Sequence, residues 1–286
     1  MKHKRPDGMS IKNVEPLQKI MPYIMKTRMD SMNMYEDTFP CEAMDAYMAK
    51  KAEEGIKLGY MHILIAAMVR LIALRPQLNR FIMNGRIYAR PKIWVSFVVH
   101  PTLVDGSVGT TVKLCFEGTE TILEIAEKIN AVIRKETIER KDENGTDKLA
   151  RVLTHIPGPV ISFVVNLLMW MDRHNLLPKA IIELSPFHTS FFITNLKSLG
   201  ISHIFHHVYE FGTTGIFLAM GKEKTVPAVN SKGEFYNEKR MSFGMVSDER
   251  YCDGLYFALS LRQLRKFMQN PAVLEMPLEK KISDVE

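Results

Sequence analysis

Blocks of apolar residues recur along the chain, and their spacing predicts a mixture of helices and strands. The segment 60–74 is apolar around most of a helical circumference, which indicates a helix buried on all sides, and Pro76 ends it. Thr121 and Glu124 form a capping box ahead of apolar positions three and four residues apart, which predicts a one-sided helix. Three further helices are expected at 41–54, 160–173 and 255–269.

Shorter segments rich in Val, Ile and aromatic residues predict strands at 93–99, 110–116, 190–195, 215–220 and 240–246. A helix is also expected within Ile20–Met34, after Pro22, and an exposed loop around 142–145. Helices and strands do not alternate strictly, so we expect one α/β domain on a largely non-parallel mixed sheet. The predicted organisation is a flexible basic arm at 1–16, the domain at 17–275 and a charged tail at 276–286. Residues 135–184 have no clear placement.

Composition places the chain among ordinary globular proteins, because 46% of its 286 residues are hydrophobic and 24% are charged. The net charge of +6 arises partly in the first dozen residues, and such a surface could attract nucleic acid, anionic lipid or a polyphosphate cofactor. No recognised nucleic-acid motif accompanies it, so we interpret it as a solvated terminus and expect no nucleic-acid partner. The longest apolar runs are too short to span a bilayer, so no membrane partner is expected either.

Most motifs that would carry chemistry are absent from the sequence. The three cysteines are far apart, which gives neither a disulfide framework nor a metal site and is typical of a cytoplasmic protein. No glycine-rich loop for nucleotide phosphates and no G-x-S-x-G turn occurs. His206 and His207 are adjacent and so cannot share a helix face, and we interpret them as packed or surface residues.

The informative stretch is Ser247–Gly254, SDERYCDG, which lies between a predicted strand and a predicted helix. Such a junction exposes several charged side chains together at the end of a sheet. One interpretation is purely structural: Arg250 pairs with an aspartate such as Asp248, and Asp253 or Gly254 opens the helix.

The other interpretation rests on a resemblance to the CoA-dependent acyltransferases. This family includes chloramphenicol acetyltransferase and the catalytic domain of the acyltransferase component of 2-oxo acid dehydrogenase complexes. It carries Asp-His-Arg-x-x-Asp-Gly between a strand and a helix, where this chain has Asp-Glu-Arg-Tyr-Cys-Asp-Gly at 248–254. Six of the seven positions agree when the two wildcards are counted, and Glu249 replaces the histidine. Further segments agree in order and spacing at 24–32, 59–79, 193–201 and 213–221.

The resemblance implies a two-layer α/β fold that forms a homotrimer, with active sites between neighbouring subunits. In the family the histidine is the general base on a thiol or hydroxyl acceptor, and CoA carries the acyl group. By position, Glu249 replaces that base, and Thr194 replaces the serine or threonine that stabilises the oxyanion. Asp253 is implied to pair with Arg28, and no residue is assigned to bind CoA. The residues expected in structural ion pairs are Arg28, Arg250 and Asp248. Acyl-CoA is expected as a substrate, without a metal or a covalent lipoyl group.

Glu249 makes the activity the open question. Proton transfer from a thiol of pKa about 8.5 is uphill by about 2.7 kcal/mol to an ordinary histidine and about 5.7 kcal/mol to an ordinary glutamate. The difference, about 3 kcal/mol, corresponds to roughly a hundredfold in rate if it is fully expressed in the transition state. Burial in an apolar channel raises the pKa of a carboxylic acid and would remove this handicap.

Two functions therefore remain open at the level of sequence. One is acyl transfer with Glu249, or a group of the substrate, as the base. The other is a catalytically inactive family member that acts as a trimeric binding or scaffold protein, which the loss of the histidine and the entry of Lys197 beside Thr194 favour. The short leader leaves no room for a lipoyl domain, so we expect the chain to act alone or with a separate partner. The charged carboxy terminus favours isolated trimers over a larger cage.

Overall fold

Ten strands and seven α-helices occur in the part of the chain that the computed structural model describes, residues 4–105, 107, 109–137 and 155–284. The helices are α1 (Pro16–Ile24), α2 (Glu42–Glu53), α3 (Tyr60–Leu74), α4 (Ile122–Thr137), α5 (Gly158–Arg173), α6 (Lys179–Leu184) and α7 (Gly254–Gln269). The strands are β1 (Lys4–Arg5), β2 (Gly8–Ser10), β3 (Met32–Pro40), β4 (Arg80–Met83), β5 (Arg86–Ala89), β6 (Ile93–Val99), β7 (Thr110–Phe116), β8 (Phe191–Asn195), β9 (Ile216–Val229) and β10 (Phe235–Asp248).

The main sheet has six strands in the order β3-β10-β9-β8-β6-β7. Strand β8 is parallel to both of its neighbours, β6 and β9, while every other pair in this sheet is antiparallel. The predicted mixed and largely non-parallel sheet is therefore confirmed. The central strands β6 and β8 are mostly buried and mostly apolar.

Helices α2, α3, α4 and α7 form a layer on one face of this sheet. Helix α3 is at the centre of the layer, and twelve of its fifteen residues are buried, as its all-round apolar pattern predicts. The opposite face of the sheet has a smaller apolar cluster, made by Phe192, Phe217, Val246 and Val208. The sheet thus has a thick, helix-covered face and a thinly covered outer face.

The amino-terminal residues differ from the expected flexible arm. Strands β1 and β2 join β5 and β4 in a second, four-stranded sheet. Arg5 is 3% exposed and donates to the carboxylates of Asp7 at 2.9 Å and Asp172 at 2.6 Å. Part of the positive charge of this segment is therefore buried in ion pairs. The apolar pattern of the sequence could not show this, because charged residues make these contacts.

Three other features differ from the pattern-based prediction. A helix was expected within Ile20–Met34, but α1 begins at Pro16 and the chain then forms strand β3. Strand β3 is an edge strand with exposed polar side chains, a composition that hides a strand from pattern analysis. Strands β9 and β10 extend well beyond their predicted ends as a polar hairpin. The loop predicted around 142–145 lies outside the described residues.

Candidate functional site

The turn that follows β10 is held by an inward-facing ion pair. Both oxygens of Asp248 accept from the Arg250 guanidinium, at 2.8 and 2.6 Å, and one also accepts from the Arg250 backbone N–H at 3.1 Å. Both side chains are almost fully buried. The backbone N–H of Glu249 donates to the Ser31 carbonyl at 3.0 Å, which fixes the turn against the segment before β3. These contacts place the Glu249 side chain on the outside of the turn.

Glu249 lines a cavity of about 210 Å³ between the turn, α1 and the start of α7. Leu17, Met21 and Phe257 make its apolar side, and Asn33 supplies an amide. The carboxylate is exposed and forms no hydrogen bond with any other described residue. It is thus free to accept a proton from a group that enters this cavity.

Two neighbours of Glu249 have structural roles in a single chain. Asp253 caps α7, since its carboxylate accepts from the Tyr256 backbone N–H at 2.8 Å, as its position before the helix predicts. Burial raises the pKa of the Cys252 thiol to about 12, so this thiol stays protonated and is a poor nucleophile.

Arg28 and Asp253, which we expected to pair, make separate contacts, and this expectation is wrong for the single chain. The Arg28 guanidinium is buried and donates to the backbone carbonyls of Glu210 at 2.8 Å and Gly212 at 2.9 Å. Burial lowers the pKa of Arg28, although the charges of Asp248 and Glu210 oppose this. The sequence could not show this arrangement because the partners of Arg28 are backbone oxygens of a distant loop.

Thr194 and Glu249 lie far apart along the main sheet. Thr194 on β8 is opposite Ala219 on β9, and Ala219 is opposite Gly244 on β10. Glu249 comes five residues after Gly244 (249 − 244). At about 3.4 Å per residue, the two are about 17 Å apart along the strands, before the lateral distance between strands is added. One chain therefore does not bring the predicted base and the predicted oxyanion donor together.

A set of paired charges includes Lys197, three residues after Thr194. Lys197 forms an ion pair with Glu223 at 2.9 Å and lies 5.5 Å from the centre of the Tyr60 ring. The Tyr60 hydroxyl donates to Asp45, whose other oxygen accepts from Lys239 at 2.9 Å. The Lys197 charge is therefore neutralised by Glu223 in the single chain.

The sequence motifs did not indicate that histidines lie on the outer face of the sheet. The His203 ring lies against Gly244, where an added Cβ would meet its Cδ2 at 2.6 Å, and its Nε2 is 3.4 Å from a Glu36 oxygen. His206 stacks on Phe217 at 4.5 Å, and burial lowers its pKa. Both lie on the Thr194 face of the sheet. The predicted role of His206 as a packed residue fits this contact, and only the position of the glycine could have pointed to His203.

Comparison with known proteins supports the resemblance seen in the sequence. Residues 187–276 match the family model of the 2-oxoacid dehydrogenases acyltransferase catalytic domain, and this range includes β8, β9, β10 and the turn with Glu249. The chain is 22% identical, over 246 residues, to the dihydrolipoyllysine-residue acetyltransferase component of the acetoin cleaving system of Bacillus subtilis. That match covers 85% of this chain but only 50% of the relative, so the chain spans about half the length of the curated relative it matches.

Solved structures show the same fold. A probable dihydrolipoamide acetyltransferase from Listeria monocytogenes matches with a TM-score of 0.58 at 15% identity, over 91% of this chain and 94% of that one. A chloramphenicol acetyltransferase matches with a TM-score of 0.57 at 11% identity, over 91% and 99%. The predicted resemblance to the CoA-dependent acyltransferases is confirmed, and so is the predicted fold class. In the described part of the chain no group of side chains could hold a metal ion, and no helix is long and apolar enough to cross a membrane.

Proposed function

We propose that this chain, whose fold and carboxy-terminal segment are those of the 2-oxo acid dehydrogenase acyltransferases, transfers an acyl group between CoA and a thiol or hydroxyl acceptor. The observation that carries the proposal is the position of Glu249. Its free carboxylate faces a cavity at the point where the family has its histidine, on a turn fixed by the buried pair of Asp248 and Arg250.

The reaction can be written with the residues in these places. The Glu249 carboxylate takes the proton of the acceptor as the acceptor atom attacks the thioester carbonyl carbon. The Thr194 hydroxyl donates to the oxyanion of the tetrahedral intermediate. When the intermediate collapses, the bond to the CoA sulfur breaks, and Glu249 returns the proton to that sulfur. The acyl group ends on the acceptor, and free CoA leaves.

This mechanism requires two chains, because Glu249 and Thr194 are far apart in one. We propose that Glu249 of one subunit meets Thr194 of its neighbour in a homotrimer. The exposed apolar side chains of α1 support such an interface, since Leu17 and Tyr23 are each 66% exposed and Ile24 is 64% exposed. A neighbouring chain would also cover Glu249 and exclude water from it. We expect isolated trimers, and light scattering that gives a mass several times that of a trimer would contradict this.

The test is release of free CoA thiol from acetyl-CoA, measured with and without added thiol and hydroxyl acceptors. Glu249→Gln should lower kcat by about a hundredfold or more, because a general base contributes about that much. Thr194→Ala should lower it by a similar factor, and Thr194→Ser should retain most activity because it keeps the hydroxyl. His203→Gln is the matched comparison, because His203 lies on the Thr194 face of the sheet. An unchanged rate in Glu249→Gln with a lost rate in His203→Gln would show that the base is assigned to the wrong residue.

A second candidate is a catalytically inactive trimer that binds a ligand or protein. It is favoured by the ion pair of Lys197 and Glu223 beside Thr194, where the family has a glycine at the lysine position. This candidate predicts no turnover with any acyl-CoA and normal assembly of Glu249→Ala. A thermal-shift titration with CoA, acetyl-CoA and longer acyl-CoAs separates the cases, since a ligand that binds only the folded state raises Tm whether or not turnover occurs.

A further inference from the structure

A second cavity, of about 510 Å³, lies next to the one that contains Glu249, and we call it the basic cleft. Four cationic side chains line it, while Glu210 is its one acidic lining residue among those described. The cations are Lys26 and Arg28 from the segment after α1, Arg173 from the end of α5, and Arg250 from the turn. The cleft therefore gathers positive charge from three separate parts of the chain.

The charges in the basic cleft do not cancel. Arg250 is matched by Asp248, and Glu210 lies beside Arg28, where one of its oxygens accepts from the Arg28 backbone N–H. Lys26 and Arg173 form no ion pair with any described residue. Four cations against two carboxylates leave an excess of two positive charges. Such an excess in a concave site attracts anions.

Arg28 indicates that part of this excess is buried. Its side chain is 5% exposed, yet its hydrogen bonds go to neutral backbone carbonyls, and its carboxylate contact, with Glu210, is 4.0 Å long. A buried cation without a close counter-ion is costly, because the charge has lost its hydration. An anion in the cleft would supply the missing charge.

Arg250 connects the basic cleft to the proposed active site, because it lines both cavities. A molecule that reaches from one cavity into the other would thus have its anionic part in the cleft and its reacting part at Glu249. We propose that the basic cleft binds a phosphate or carboxylate group of a substrate whose reacting end lies at Glu249. The link to Glu249 rests on the proposed function, whereas the anion site itself does not.

The anionic group could belong to either of two molecules, the phosphates of CoA or an acidic acceptor. Calorimetric titration with pyrophosphate tests the cleft by itself, and titration with CoA, dephospho-CoA and pantetheine tests the first source. The key variant is Lys26→Gln combined with Arg173→Gln, which leaves the buried arginines in place. Its matched control is Arg262→Gln combined with Lys266→Gln, which removes the same charge from a different surface depression.

We expect the wild type to bind pyrophosphate and the cleft variant to bind it at least about tenfold more weakly, since each charge-assisted contact contributes about a factor of ten or more. The control pair should bind as the wild type does. If the cleft variant also binds CoA more weakly, the group is a CoA phosphate. Weaker binding of CoA but not of dephospho-CoA identifies the 3′-phosphate, and weaker binding of both but not of pantetheine identifies the diphosphate. If the cleft variant binds CoA normally, the group belongs to an acidic acceptor.

Two outcomes would overturn the proposal: no binding of pyrophosphate by the wild type, or equal weakening in the cleft variant and the control pair. A protein that binds pyrophosphate in the cleft but neither CoA nor acyl-CoA would retain the anion site and refute the proposed acyl transfer. The two proposals therefore fail in distinguishable ways.

Discussion

At the scale of single residues, the turn 248–253 separates side chains that hold it from the one that faces the cavity. Asp248 and Arg250 are buried against each other, and Asp253 begins α7. Glu249 forms no comparable contact with the described residues. Substitutions that change the stability of the fold and substitutions that test the proposed chemistry thus fall on different residues of this turn.

Asp248→Asn should destabilise the protein strongly, by about 3–5 kcal/mol, because it leaves the buried Arg250 guanidinium without its counter-ion. Glu249→Gln is the matched control and should change stability by no more than about 0.5 kcal/mol, as expected for a surface position. Urea unfolding followed by circular dichroism measures both. A large loss of stability in Glu249→Gln would mean that this side chain has a structural role as well.

Gly212 shows how tightly the loop before β9 fits. Its φ is +85°, and an added Cβ would lie 2.4 Å from the Phe187 carbonyl oxygen. Gly200 has a similar φ of +74° but open space around it. Gly200→Ala should therefore cost only the left-handed conformation, about 1–2 kcal/mol. Gly212→Ala should cost clearly more, because the backbone of residue 187 must also move. Equal costs in thermal melts would contradict this reading of the loop.

At the scale of elements, a buried polar network ties the amino-terminal strands to α5 and to the segment before β8. Asp172, at the end of α5, accepts from Arg5 at 2.6 Å and contacts His188 Nε2 at 3.1 Å. The other nitrogen of His188 lies 2.9 Å from the Ser185 hydroxyl. Burial alone would raise the pKa of Asp172, but the hydrogen bonds and charges of His188 and Arg5 outweigh it and lower that pKa.

The sign of the resulting pH dependence follows from this lowered pKa. A carboxyl group whose pKa is lower in the folded than in the unfolded state stabilises the fold above its unfolded value, about 3.9, and loses that contribution as pH falls through the folded value. Asp172→Asn should be less stable than the wild type by about 3 kcal/mol at neutral pH. The difference should begin to shrink as pH falls below about 4 and should be lost once pH passes the lower folded value, because Asp172 is protonated first in the unfolded and then in the folded state.

Urea unfolding at a series of pH values checks this expectation. Glu183→Gln is the control, since Glu183 pairs with Lys179 on an exposed helix surface and such pairs contribute less than about 1 kcal/mol. A difference between Asp172→Asn and the wild type that stays constant from neutral to acidic pH would show that ionisation of Asp172 is not its cause.

The same elements show how much of the fold could be predicted from the sequence. Helix α3 and the central strands were predictable because their side chains are buried among other apolar side chains, which leaves an apolar pattern in the sequence. Strand β3 and the polar hairpin of β9 and β10 were not, since they are stabilised by backbone pairing and expose their side chains. The Asp248 and Arg250 pair is local in sequence. The contacts of Arg5 with Asp172 and of Arg28 with Glu210 join residues 167 and 182 positions apart, and they leave no local signal.

At the scale of the whole molecule, the separation of Glu249 and Thr194 means that the proposed mechanism needs more than one chain. Antiparallel pairing of β9 and β10 and parallel pairing of β8 and β9 hold the two residues about 17 Å apart along the strands of one sheet. A rearrangement that brought the two residues together within one chain would have to break that strand pairing. A second chain can place its Thr194 near Glu249 while the pairing in both chains stays intact. In a closed ring of three subunits, every subunit makes the same contact with its neighbour, so all three sites are equivalent.

Subunit mixing tests this directly. Glu249→Gln and Thr194→Ala chains should each form inactive trimers. When they are co-expressed with different affinity tags and mixed trimers are purified through both, some interfaces combine the intact Glu249 of one chain with the intact Thr194 of the next. Random assembly makes about a quarter of all sites intact, so roughly that fraction of wild-type activity should return. Purification through both tags excludes trimers of a single variant and raises the fraction somewhat. Mixed trimers of confirmed mass that remain inactive would show that the two residues do not act across an interface. The control mixes chains that carry both substitutions with Glu249→Gln chains, because this mixture contains no intact Glu249 and can restore no site.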